Sequence, residues 1–294
     1  YYPNNEDQII MTSNFILHAS HLNEDTLVQQ TTAEYLEHKL GWQSVYAYNN
    51  EDFGPNSLLG RASDRDVVLT RPLRRKLTEL NPGLPEEAYD DAVRQMVATT
   101  AMQSLIATNR DKYNLLRDGV QVSFRNDKGE RVKERLRVLD FNHPANNAFL
   151  SVRELWVRGD LYRRRADIVG FVNGLPLLFM ELKTVGRDIR VAYEKNFQDY
   201  MDTVPHLVPH NVSVALANGV DVKIGYMTSR FEHCHEWKRL AEDEPGVVDM
   251  ETLLKGICNK TNFIDIVENF ILCDDSIGDI KKIGARNHQL LGVN

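Results

Sequence analysis

The chain has 294 residues, 42% of them hydrophobic and 26% charged, enough for a buried core in one large or two modest domains. A formal net charge of −7 argues against a nonspecific coat for nucleic acid, yet it leaves room for an acidic protein with a basic cleft. No apolar run approaches the roughly 20 residues that span a bilayer, and neither end reads as an export signal, so a soluble, cytoplasmic protein is expected; Cys234, Cys258 and Cys273 then read as free thiols, too few and too widely spaced for a disulfide framework.

Residues 1–22 read as irregular and lack an initiator Met. From Asn23 or Thr26, either of which can cap, Leu27, Val28, Thr31, Tyr35, Leu36 and Leu40 recur at helical spacing until Gly41. Trp42–Tyr48 predicts a strand and 49–63 a loop. Asp66–Leu80 reads as a strand passing into a helix whose basic cluster, Arg71–Lys76, suits a solvated face. Pro85, followed by Glu86 and Glu87, opens one long helix to about Ile106, with a further turn over 109–116. Val120–Phe124 and Arg131–Phe141 alternate as a hairpin about 126–129, and Val152–Arg158 reads as another strand. After the central stretch described next, 188–201 has helical character, and Leu207–Ala217 with Val220–Met227 forms a second hairpin about Asn218-Gly219. Helices are expected at 232–240, 250–258 and 262–272, in a tail of different texture that sets a soft domain boundary near residue 230. His233-Cys234-His235 does not make a zinc motif, because neighbouring side chains diverge and no second ligand pair is suitably spaced.

The chain is organised around Arg163–Thr184, RRRADIVGFVNGLPLLFMELKT. Two apolar runs flank Asn173-Gly174, a pair that takes positive φ cheaply and predicts two strands and a tight reversal. Asp167, Glu181 and Lys183 sit within those runs, and buried charges need a metal, mutual pairing or a task. An Asp and a Glu-x-Lys on adjacent strands offer hard oxygen ligands of the kind Mg²⁺ prefers, with the Leu182 backbone carbonyl able to complete the set. A metal held there polarises a phosphate oxygen and acidifies a bound water, which Lys183 can hold. Glu181 and Lys183 share strand parity and hence a face. Asp167 poses a geometric condition. In a strict two-residue hairpin it opposes Met180 and points away from Glu181, so an odd connection or a bulge must intervene. The expectation is a reversal that is not a simple two-residue turn, such as a three-residue loop with Gly174 left-handed.

Asp167 followed by Glu181-Leu182-Lys183 resembles the PD-(D/E)xK nuclease signature, with Ala166 where the pattern's loosely required proline stands. The wider text is more specific: LGW at 40–42, GRASDRDVVL at 60–69, FVNGLPLLFMELK at 171–183, NFQDYMDTVPHL at 196–207, EWKRL at 236–240 and ARNHQLLGVN at 285–294 resemble the N-terminal part of the motor (R, or HsdR) subunit of type I restriction enzymes. The resemblance covers nearly all of the chain beyond residue 12. It implies an α/β fold, a mixed β-sheet flanked by helices, over 13–230, followed over 231–294 by a helical lead into a motor domain.

It further implies Mg²⁺-dependent cleavage of double-stranded DNA, with Asp167 and Glu181 as metal ligands and Lys183 as the catalytic lysine. The partners implied are the DNA and the methylation and specificity subunits, with no membrane. Many relatives carry a glutamine and a tyrosine four residues apart on the helix after the lysine; here Tyr200 matches, Asn196 stands four residues before it and Gln198 is out of register. Some carry a glutamate on the first helix, where this chain has Gln29-Gln30, so Glu34 or Glu37 becomes the substitute. Arg163, Arg164, Arg165, Arg187 and Arg190 are candidate DNA contacts, a role that would make binding steeply salt dependent. No GxxxxGK[ST] loop occurs, so ATP belongs to the full-length subunit, with His288-Gln289 ahead of that loop in the adenine-contacting region. Two other functions fit the same text: a noncatalytic module docking the motor onto the methyltransferase core, and a stand-alone repair or junction nuclease of the same fold.

Overall fold

A computed structural model describes residues 24–47, 51–99, 102–276 and 278–293. The expected irregular opening and Asn23 lie outside the described residues; Thr26 falls within the first helix, and the first strand runs from Gln43 only to Tyr46.

In chain order the elements are α1 (Glu24–His38), β1 (Gln43–Tyr46), α2 (Thr70–Leu80), α3 (Glu86–Val97), α4 (Leu105–Asp118), β2 (Val120–Arg125), β3 (Arg131–Leu136), β4 (Phe149–Arg158), β5 (Arg163–Val172) and β6 (Leu175–Leu182). There follow a π-helical stretch (Ala192–Phe197) that runs into α5 (Gln198–Thr203), then β7 (Ser213–Ala217) and β8 (Val222–Gly225). The tail carries α6 (Met250–Leu253) continued by a second π stretch (Leu254–Cys258), α7 (Lys260–Asn269), β9 (Ile271–Asp274), β10 (Lys281–Gly284) and α8 (Asn287–Leu291). Six strands form one sheet in the order β1-β4-β5-β6-β7-β8. It is mixed: β1 runs parallel to β4 and β6 to β7, while β4–β5, β5–β6 and β7–β8 are antiparallel. The expected α/β architecture is thus present.

Every residue of β6 is buried, as a central strand covered on both faces requires. One face packs Ile168, Leu178, Met180 and Leu182 against Val28 and Leu36 of α1 and Leu73 and Leu77 of α2. The other packs Val169, Phe171 and Phe179 against Phe197 and Tyr200. Residues beyond 230 join the first of these clusters through Trp237, Leu253, Ile257 and Phe263, and the Trp42 indole donates to the Cys258 carbonyl at 2.9 Å.

Four sequence expectations are corrected. The long helix from Pro85 is two helices: α3 ends at Val97, its C-cap Ala98 is out of the helix, and Ser104 caps α4 by accepting from the Ala107 N–H. The strand expected from Asp66 into α2 does not form; Leu69 instead donates its N–H to the Gly174 carbonyl at 2.8 Å and so ties that segment to the central hairpin. At 232–240 the expected helix is replaced by one short turn, Phe231–His233, and His235 exchanges both backbone bonds with Ile224 of β8. The 262–272 helix stops at Asn269, and the chain turns into the β9–β10 ladder.

Candidate active site

Asn173 (φ 51°) and Gly174 (φ 83°) both take positive φ, the primed two-residue reversal that matches strand twist. The turn is therefore simple, contrary to expectation. The required register change comes instead from a bulge three residues into β6. Val172 pairs with Leu175 and Phe171 with Pro176, but Gly170 then pairs with Leu178, leaving Leu177 as an extra residue. Pro176 has no N–H to give the ladder, which is why bulges accept proline. Leu177 turns its carbonyl to the Val212 N–H at 2.7 Å. Beyond the bulge Ile168 faces Met180, so the register brings Asp167 opposite Glu181.

A second irregularity releases the Asp167 side chain. Along β4 and β5 the pairs Val152–Val169 and Arg153–Ile168 resume as Leu155–Ala166 with the step between them, Glu154 opposite Asp167, unpaired. Glu154 has φ 53°. Val152, Leu155 and Val157 all contribute to one apolar cluster, as do Val169 and Ala166, so the two-residue alternation switches in both strands at this step. Freed from the ladder, Asp167 accepts the Leu182 N–H on Oδ2 at 2.8 Å and the Gln29 amide on Oδ1 at 2.9 Å.

Glu181 is fully buried. Its Oε2 accepts from the Asn196 amide at 2.9 Å, while Oε1 has no hydrogen-bond partner among the described residues. Burial, and next the charge of Asp167, push its carboxyl well above the usual range; Lys183, the Tyr200 hydroxyl and the Asn196 amide act in the opposite direction. Tyr200 is pushed well above its ordinary value by burial first and Glu181 second, so at neutral pH it is a phenol that donates. It donates to the Arg165 carbonyl at 2.9 Å. Lys183 is half-buried and lies one residue beyond the end of β6, its N–H donating to the Ala217 carbonyl at 2.8 Å. Asn196 lies in the π-helical stretch and Tyr200 in the α-helix that continues it, and the two reach Glu181 together. Such turns recur at functional sites.

Of the first-helix candidates, Glu34 and Glu37 are exposed, and Glu34 accepts from Gln30 at 2.8 Å. Gln29, on the face of α1 that carries buried Val28 and Ala33, occupies the position expected of Glu34 or Glu37. Gln198 is half-buried and faces Tyr193 rather than Glu181. The candidate arginines are mostly engaged. Arg163 pairs with Asp64 at 2.9 Å and lies over the Trp156 ring, Arg164 forks onto Asp199, Arg165 faces Glu154 at 3.6 Å, and Arg190 bridges Glu194 and Glu232. Arg187 is exposed and makes no ion pair among the described residues. The basic cluster of α2 serves structure: Arg71 donates to the carbonyls of Pro55, Ser57 and Leu58, and Arg74 pairs with Glu86. Sequence reasoning passed over Gln29, although it stands where relatives carry a glutamate, and missed Glu154; Pro176 inside an apolar strand was the available signal for the bulge.

The donor set fits a small, hard divalent cation. Among the described residues no three His, Cys, Asp or Glu side chains converge, so the site offers two carboxylates and main-chain oxygen. A fully buried carboxylate oxygen with no hydrogen-bond partner among the described residues, beside a second carboxylate, is the feature a cation would satisfy.

Residues 21–233 match the family model described as type I restriction enzyme R protein N terminus. The chain is 34% identical over 284 residues to the type I restriction enzyme HindI endonuclease subunit of Haemophilus influenzae, covering 93% of this chain and 26% of that protein. It is 26% identical over 302 residues to a Methanocaldococcus jannaschii protein provisionally named type I restriction enzyme MjaIXP endonuclease subunit, covering 94% of this chain and 27% of the other. The chain thus spans about a quarter of the length of these relatives. With the matched region running through the whole central sheet, the chain belongs to the family of type I restriction enzyme R protein N-terminal regions.

Proposed function

We propose that this chain is the Mg²⁺-dependent endonuclease portion of a type I restriction enzyme R subunit, hydrolysing phosphodiesters of double-stranded DNA while a motor elsewhere in the full-length subunit uses ATP. The observation that carries the reading is the placement of Asp167, by the register beyond the bulge, opposite a fully buried Glu181 whose second oxygen has no hydrogen-bond partner among the described residues. Asp167, Glu181 and the Leu182 carbonyl would hold the cation, which when bound polarises a phosphate oxygen and acidifies a water. Lys183 orients that water and neutralises charge growing on the phosphate. Asn196 fixes the Glu181 carboxylate, and the Tyr200 phenol stays protonated beside it. Gln29 and the Leu182 N–H hold Asp167 from two directions. Exposed Arg187 is positioned to meet backbone phosphate directly, whereas Arg163, Arg164, Arg165 and Arg190 would exchange a carboxylate partner for it. A module that only docks the motor would leave the buried acidic pair without a task.

The test is Asp167→Ala and Lys183→Ala in the full-length subunit, reconstituted with methylation and specificity subunits. Cleavage should be lost while assembly and ATP-driven translocation persist; cleavage surviving either change overturns the assignment.

A further inference from the structure

Glu154 is a buried acid to which the proposed chemistry gives no task. It sits in mid-strand with φ 53°, a conformation that a non-glycine residue keeps only where its surroundings over-determine it. It occupies the one unpaired step of the β4–β5 ladder, directly opposite Asp167. Its carboxylate accepts from the Tyr46 hydroxyl at 3.2 Å and faces the Arg165 guanidinium at 3.6 Å. Arg165 leans over the Trp156 ring at 5.7 Å and gives its carbonyl to the Tyr200 phenol, which stands beside Glu181. Glu154 therefore touches both supports of the acidic pair: through its backbone the step that frees Asp167, and through its carboxylate the strand segment on which Tyr200 rests.

We propose that Glu154 is a positioning residue that aims the Arg165 guanidinium at a DNA phosphate beside the Asp167–Glu181 pair. This rests on the nuclease reading. The geometry favours aim over simple neutralisation. Arg165 is two residues from Asp167 on the same strand, its side chain is 37% exposed, and the carboxylate steering it is 7% exposed. A buried anchor with a half-exposed cation is the arrangement that orients an arginine without removing it from a ligand. The unusual backbone is then the means by which a carboxylate reaches Arg165 from the ladder step that Asp167 must vacate.

The test is a double-mutant cycle of Glu154→Asn and Arg165→Ala in the full-length subunit within its restriction complex. Asn tolerates the left-handed region and removes the charge. Each single change should slow cleavage on the order of tenfold to a hundredfold, as misplacement near reacting groups does. ATP-driven translocation and the melting temperature should stay at parental values. The double variant should be no slower than the worse single, and each single change should lower the salt slope of DNA binding by about one. Glu154→Gly, free to adopt the same φ, separates backbone from carboxylate and should be equally slow; Glu154→Asp should recover part of the rate. Multiplicative losses, full cleavage in Glu154→Gly, or parallel loss of melting temperature, translocation and cleavage would each overturn the proposal. Full cleavage in Glu154→Asn alongside a dead Asp167→Ala overturns it while sparing the nuclease reading, and an active Asp167→Ala overturns that reading itself.

Discussion

Gln29→Glu changes one buried amide nitrogen into an oxygen and should make the stability of the fold depend steeply on pH. Gln29 is 4% exposed, and its amide donates to Asp167 Oδ1 at 2.9 Å. A second carboxylate at that separation would repel the first by roughly 5 kcal/mol at an effective dielectric constant of about 20. Protonation is the cheaper route. Holding one carboxyl neutral at pH 7 costs about 1.4 kcal/mol for each pH unit above a free value of about 4.3, or about 4 kcal/mol, and the protonated group can donate back to Asp167. The folded value of the new carboxyl is thus raised above its unfolded value, so the penalty is absent below about pH 4.3 and grows as the pH rises toward the folded value. At pH 5 it should be only about 1 kcal/mol. Denaturant titrations of parent and variant at pH 5 and pH 7, with and without Ca²⁺ as a cation that fills the site, measure this directly. The variant should be the less stable by about 4 kcal/mol at pH 7 and should regain most of that difference on adding Ca²⁺. A difference that does not change between the two pH values would refute the placement of Gln29 on Asp167.

Two further outcomes test the frame around the site. Gly174→Ala puts a methyl group 2.4 Å from the Leu69 carbonyl oxygen and 2.9 Å from the Leu73 nitrogen at φ 83°. Left-handed strain of about 1–2 kcal/mol and displacement of the α2 backbone costing about as much again should lower stability by roughly 3 kcal/mol in a thermal or denaturant melt; a loss below about 1 kcal/mol would contradict the close approach of the turn to α2. Lys282, buried and donating to Asn109 Oδ1 at 2.9 Å and to the Asn211 carbonyl, is pushed down to about 7 by burial. Because its folded value lies below its unfolded value, the unfolded chain binds more protons between about pH 7 and pH 10, and stability gains from rising pH across that window. Lys282→Met should remove this part of the rise, seen as a smaller stability difference between pH 6.5 and pH 9.5 than in the parent; an unchanged difference would mean that Lys282 is not buried as a cation-disfavouring group.

Much of the fold was legible because its signals are local. Asn173-Gly174 and Asn218-Gly219 announce their reversals, the spacing of Leu27, Val28, Tyr35 and Leu36 announces α1, and the alternation of Val120–Phe124 with Arg131–Phe141 announces β2 and β3, although β3 ends at Leu136. The failures arose where local signals are weak or tertiary contacts override them. Ser104 is a good helix cap, but the apolar residues flanking it continue a helical spacing and hide the break. The four-residue strands β9 and β10 are too short for periodicity to distinguish from a helix end. Segment 66–69 has the composition of a strand, yet Leu69 pairs with a turn rather than with a sheet. Within the site, the resemblance placed Gln29-Gln30 where relatives carry a glutamate, but the choice then fell on Glu34 or Glu37, since polar residues spaced along α1 differ only in which one the helix turns inward.

The geometry of the acidic pair rests on two departures from regular strand geometry with different roles: one sets the register, the other the hydrogen bonds of Asp167. Without the extra residue at Leu177, Asp167 would oppose Met180, and the two carboxylates would lie on opposite faces of the sheet. With the bulge but a regular β4–β5 ladder, Asp167 would already share a face with Glu181, but paired to Glu154 it would not turn to the Leu182 N–H and the Gln29 amide. Each departure has its own chemical cause: a proline that lacks a ladder donor in β6, and a glutamate held left-handed in β4. Spacing between an aspartate and a Glu-x-Lys is therefore a weak criterion by itself, because the same spacing on a regular hairpin separates the groups. The stronger one is that spacing together with a residue able to break the ladder between the turn and the glutamate, and here that residue is Pro176.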